Sequence, residues 1–155
     1  LLESVVRSPL VRAGLPTEFW RHDDQHAWVD AFMELATALV ASELYEDTLP
    51  RGYGLIAPLF DWEAQCQFSG WFAFSNRQEG VDRIIEAYRT VGLGGEADAV
   101  RRAHSAWHDS GGDHSATSAA YSLVAHPYQI DLDRLEYLAA YFFDHADDLL
   151  YLDAA

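Results

Sequence analysis

The chain has 155 residues, half of them hydrophobic and 14% aromatic, which is enough apolar side chain for one sizeable core and too much for a globally disordered segment. Acidic residues number 25 against 10 basic ones, a formal net charge of −15, which argues against nucleic acid or an anionic membrane surface as a direct ligand and in favour of a basic protein surface. All ten basic residues are Arg, so Schiff-base and P-loop lysine chemistry are excluded.

Helical spacing dominates from the first third onward. Trp28, Phe32, Leu35 and Leu39 recur at steps of four and three and predict one apolar helix face, with Asp30, Glu34 and Thr37 opposite. Pro50, Gly52 and Gly54 then break the chain. Residues 55–75 predict a central helix dense in aromatics: Phe60, Trp62, Phe68, Trp71, Phe72 and Phe74, with Asn76 near its end. A helix over 79–91 follows, with Val81, Ile84, Ile85 and Tyr88 as its buried stripe, stopped at Gly92 and Gly94-Gly95. Residues 96–108 predict another helix, ended by Ser110-Gly111-Gly112-Asp113. The last runs over 131–152, where Leu132, Leu135, Ala139, Phe142, Ala146 and Leu149 keep the rhythm and Asp131 favours the helix dipole. No strand-like alternation stands out. Residues 1–155 are therefore expected to form one all-α domain, a compact bundle of about six to eight helices. Trp62, Phe68, Trp71, Phe32, Leu35, Ile84, Leu135 and Phe142 are its expected core.

Charge is uneven. Residues 22–76 and residues 103–155 each carry one Arg against nine acids, whereas residues 77–102 are balanced. The balanced segment offers Glu79/Arg83 and Asp98/Arg102 at i,i+4 spacing. The acidic segments hold like-charge i,i+4 pairs instead: Asp30/Glu34, Glu43/Asp47 and Asp144/Asp148. Each such pair weakens an isolated helix by roughly 0.2–0.5 kcal/mol, so their repetition calls for either a solubilising surface or a partner-binding face.

Catalytic and metal-binding patterns are thin. His104 and His108 sit four apart near Asp109, Asp113 and His114, the spacing of two imidazoles on one metal, and would carry a metal-dependent hydrolase if one were present. The glutamate that a zincin places after its first His is Ser105 here. His22-Asp23-Asp24-Gln25-His26 reads more simply as a helix start with capping carboxylates. Cys66 is the only cysteine, so no intrachain disulfide or thiolate cluster forms, and its apolar setting suits a packed thiol better than a nucleophile. Gly92-Leu93-Gly94-Gly95 follows a helix, a cap rather than a phosphate cradle, and Glu63 is expected as a hydrogen-bonded structural carboxylate. No run of 18 apolar residues occurs. The start, Leu1-Leu2-Glu3-Ser4, lacks the basic region of a signal peptide, and it is not a Met, which leaves room for an upstream segment. A cytoplasmic protein is expected.

The stretch Phe60-Asp61-Trp62-Glu63-Ala64-Gln65-Cys66-Gln67-Phe68-Ser69-Gly70-Trp71-Phe72-Ala73-Phe74-Ser75-Asn76, with the later turn Val91-Gly92-Leu93 and the closing Leu135, Tyr141, Phe142, Asp147, Asp148 and Leu150, resembles a family of bacterial helical domains that includes an acidic DNA-mimic protein. The likeness covers roughly residues 55–152. The family's Asn-Gly-Gly step is reduced to Ser69-Gly70, and its glutamine before the asparagine is missing. Gly70 is expected to allow close helix approach and Asn76 to cap. The resemblance implies an all-α fold, no cofactor, and an acidic surface that engages a nucleic-acid-binding protein or, by analogy, neutralises a toxin.

These readings converge on a non-enzymatic acidic protein that binds and inhibits a basic partner. Asp30, Glu34, Glu43, Asp47, Asp144, Asp147 and Asp148 are its expected contact residues, with Trp28, Tyr137 and Tyr141 as candidate apolar anchors. The rival readings are the His104/His108 hydrolase and an accessory structural domain without a specific acidic interface.

Overall fold

The computed structural model describes residues 24–42 and 49–150. The fold is all-α, and no strand occurs among the described residues. The helices are α1 (Gln25–Ser42), α2 (Tyr53–Ser69), α3 (Ala73–Asn76), α4 (Val81–Thr90), α5 (Gly94–Asp109), α6 (His114–Ser122), α7 (Asp131–Asp144) and α8 (Ala146–Leu149), with 3-10 turns at Gly70–Phe72 and Gln78–Gly80. They gather into two compact units: one takes the described residues up to Asp61 and from Leu135 onward, the other takes Trp62–Arg134.

In the first unit, the Asp24 carboxylate accepts a hydrogen bond from the His26 amide at 2.9 Å and opens α1, as an N-cap does. Val29, Phe32, Leu35, Ala36 and Leu39 form its buried face, whereas Asp30, Glu34 and Thr37 are exposed. Phe32 stacks on Phe60 at 5.3 Å, and Phe142 completes the aromatic triad at 5.9 and 6.1 Å. Gly52 is where α2 begins and the backbone of α8 comes close, its amide donating to the Leu149 carbonyl at 2.9 Å. The expected helix over 131–152 breaks at His145, whose amide closes the last turn of α7 on the Tyr141 carbonyl at 3.0 Å.

The second unit begins on α2. The expected helix over 55–75 ends at Ser69, because Gly70 adopts a left-handed φ of 55° that helical backbone does not allow. A Cβ at Gly70 would meet nothing within 4 Å, so this glycine serves the turn and not close helix approach. The break also strands Phe68, expected in the core but 89% exposed, while Trp71 is half-buried. Asn76 is the last residue of α3 rather than a cap. Its amide donates to Gln65 Oε1 at 3.2 Å and Ser69 Oγ at 3.4 Å, tying the turn back to α2. Gly92 (φ 86°) closes α4, with the Leu93 amide reaching the Tyr88 carbonyl at 2.8 Å. Gly94 and Gly95 open α5 instead of ending the helix before it. Asp113 caps α6, a helix not anticipated above, by accepting from the Ala116 amide at 2.8 Å. Trp62, Phe74, Ile84, Ile85, Tyr88, Val100 and Ala103 are buried in this unit.

Candidate functional site

The expected partner-binding residues lie in the first unit where they are described. Asp30 and Glu34 are exposed on α1; Asp144 ends α7, and Asp147 and Asp148 lie on α8, all exposed. Glu43 and Asp47 lie outside the described residues. The break at His145 puts Asp144 and Asp148 on different helices, so they are not the like-charge i,i+4 pair expected of one continuous helix. Trp28 of α1 meets Phe143 of α7 edge to face, centroids 4.4 Å apart and planes at 84°. Tyr141 lies between Tyr137 at 6.3 Å and the His145 ring at 4.2 Å.

A second constellation, not assembled by sequence reasoning, occupies the second unit. Arg134, in the first turn of α7, is 4% exposed and Glu63 is 1% exposed. The guanidinium grips the carboxylate as a fork: Nε donates to Oε1, and Nη2 donates to Oε2 at 2.8 Å. Nη2 also donates to Asp131 Oδ1 at 3.0 Å, and Nη1 to the carbonyls of Tyr128 and Gln129 at 2.9 and 3.3 Å. All five N–H groups of Arg134 are thereby engaged. Burial works against the guanidinium charge, but the Glu63 hydrogen bonds and charge outweigh it, so Arg134 stays protonated. The Tyr88 hydroxyl donates to Glu63 Oε1 at 2.5 Å, and burial together with that carboxylate pushes its pKa well up.

Glu96, in the first turn of α5, is the second buried carboxylate. It accepts from the Tyr121 hydroxyl at 2.5 Å through Oε2, and its Oε1 lies 3.6 Å from Arg134 Nε. Burial pushes its pKa up to about 8, against the lowering effects of Arg134 and Tyr121. His126 Nε2 lies 3.1 Å from Glu96 Oε2 but lacks hydrogen-bond geometry. Burial and then Arg134 lower the His126 pKa. The ring is wedged against α5: a Cβ on Gly95 would fall 2.6 Å from His126 Cβ. Above Glu96 and Arg134 opens a cleft of about 190 Å³, lined also by Trp62, Cys66, Trp71 and Tyr121. Burial, and next the Glu63 charge, push the Cys66 thiol well above its ordinary pKa, so it stays protonated.

His104 and His108 of α5 and His114, the first residue of α6, take separate posts. His104 stacks on Phe74 at 5.2 Å and burial lowers its pKa; His108 points to Asp109 at 3.6 Å on the surface; His114 packs against Phe72 and Trp107. Among the described residues no three His, Cys, Asp or Glu side chains are grouped to hold a metal ion. No described helix is long and apolar enough to cross a membrane.

No family model, no curated protein and no solved structure matches this chain. Chemistry therefore carries the functional reading. Of the motif residues behind the family resemblance, Glu63 holds the buried ion pair, Gly70 makes the helix break and Asn76 ties the turn. Glu63 had a readable signal, a carboxylate inside an aromatic helix. Arg134 had one too, as the single basic residue of a segment with nine acids.

Proposed function

We propose that the protein is a cytoplasmic binding protein, not an enzyme, and that the acidic surface of its first unit docks onto and inhibits a basic partner. A DNA-binding regulator or a nuclease-like toxin has the required chemistry, a positive patch evolved to meet phosphates. The observation that carries this reading is the Trp28–Phe143 contact, which joins α1, with exposed Asp30 and Glu34, to the end of α7, where Asp144 follows Phe143 directly. Carboxylates supply steering, and a nearby aromatic pair supplies the desolvated anchor that charge alone lacks. Phe143 is 48% exposed and so still has area to bury.

The test begins with capture of the partner from the native cell. Its affinity is then measured at low and high salt for wild type, Asp30→Asn/Glu34→Gln and Asp144→Asn/Asp148→Asn. Exposed charges act over about 8 Å at physiological ionic strength, so wild-type binding weakens as salt rises and both double variants flatten that dependence. Affinity indifferent to salt and to both variants would reduce the acidic surface to a solubility device.

A further inference from the structure

We propose that the cleft of the second unit, between Glu96, Asp131 and Trp71, is a binding site for a single organic cation, a guanidinium or ammonium group on a short apolar stem. The cleft encloses about 190 Å³, the scale of one long side chain and too small for a nucleotide or a cofactor.

Its sign of charge follows from the wiring beneath it. Three carboxylates, Glu63, Glu96 and Asp131, surround one guanidinium. Every N–H of Arg134 is already spent on Glu63, Asp131 and two carbonyls, so Arg134 has no donor left for an anion. Acceptors remain. Glu96 is 97% buried at the side chain and lines the cleft, yet its Oε1 accepts no hydrogen bond, with Arg134 Nε no nearer than 3.6 Å. Asp131, on the rim, has a 60% exposed side chain. Trp62, Trp71 and Tyr121 give the walls aromatic surface suited to a cation, and the Trp71 indole is held by a 2.7 Å bond from Nε1 to Ser118 Oγ. A cation entering here replaces the proton that burial leaves on Glu96, so its binding tightens as pH rises towards about 8.

The same group comes from a free small amine or from an Arg or Lys side chain of a partner, and the experiment separates them. Ethylguanidinium chloride, butylammonium chloride and a blocked Gly-Arg-Gly peptide are titrated into the intact protein, with acetate as the anionic control. Calorimetry and the Trp71 indole resonance are followed. The proposal expects saturable one-to-one binding of at least one cation, a shift of that resonance, and no binding of acetate. Binding of the free cations alone assigns a small-molecule ligand; binding of the peptide alone assigns a partner's side chain. Glu96→Gln should weaken binding about 10- to 100-fold, the worth of one hydrogen bond to a charged group, and abolish its rise with pH. Asp131→Asn, on the exposed rim, keeps a side-chain oxygen for the Arg134 Nη2 hydrogen bond while losing its charge, and should weaken binding several-fold. No saturable cation binding, or binding that neither substitution changes, overturns the proposal.

Discussion

Glu63 and Arg134 stand 71 residues apart in the chain and meet as a two-pronged ion pair, buried on both sides. Removing one partner strands the other charge. Arg134→Ala is therefore expected to destabilise the protein by about 3–5 kcal/mol, whereas the double change Glu63→Leu/Arg134→Met recovers a large part of the loss. Urea denaturation of the single and double variants checks this; a double variant as unstable as the single one would contradict it.

Glu96 makes stability depend on pH. In the fold it holds its proton up to about 8, whereas in the unfolded chain it loses it near 4.5. Between those values the folded state binds the extra proton, so this contribution is complete below 4.5 and is lost as pH rises to about 8. His126 acts with the opposite sign: its lowered pKa means that stability is gained as pH rises towards 6.5. Above 6.5 the Glu96 slope is left. The urea midpoint is expected to fall between pH 6.5 and about 8 in wild type and to stay level in Glu96→Gln. A fall preserved in the variant would assign the slope to another group.

Gly52 leaves no room for a methyl group. A Cβ there would lie 2.5 Å from the Leu149 carbonyl oxygen and 2.9 Å from its carbonyl carbon, both backbone atoms that cannot rotate away. Gly52→Ala should cost about 1–3 kcal/mol and lower the melting temperature by several degrees, readable by circular dichroism. Gly80→Ala, with nothing within 4 Å, is the matched control and should change little.

Trp28 is the expected anchor of the acidic surface. Once a partner is in hand, Trp28→Ala should raise Kd by about 30-fold or more through faster dissociation, while the acid-to-amide changes act mainly on association. A stopped-flow and dissociation series separates the two; Trp28→Ala with unchanged dissociation would remove the aromatic pair from the interface.

Periodicity made the helices legible because one-sided burial writes itself as three-four spacing. Phe32, Leu35, Leu39, Ile84, Leu135 and Phe142 are buried where that spacing puts them. It failed where backbone geometry overrode hydrophobicity. Phe68 and Leu132 are apolar in helical register, yet they are 89% and 43% exposed, Phe68 just before the left-handed Gly70 and Leu132 in the first turn of α7. The short, polar helix α6 offered no apolar stripe to find. The exposed acids Asp30, Glu34, Asp144, Asp147 and Asp148 were legible as a charge imbalance. The Glu63–Arg134–Glu96 cluster was not, because an ion pair across 71 residues leaves no local spacing, only two charges each out of place among its neighbours.

Glu63 is the second residue of the Trp62–Arg134 unit and Arg134 is its last. The ion pair is thus a clasp at the neck of an inserted segment, holding together the points where the chain comes in and goes out. A segment whose two ends are pinned side by side has the geometry of a module. Residues 62–134 thus carry within themselves the bond that ties their first turn to their last residue, whatever chain lies on either side.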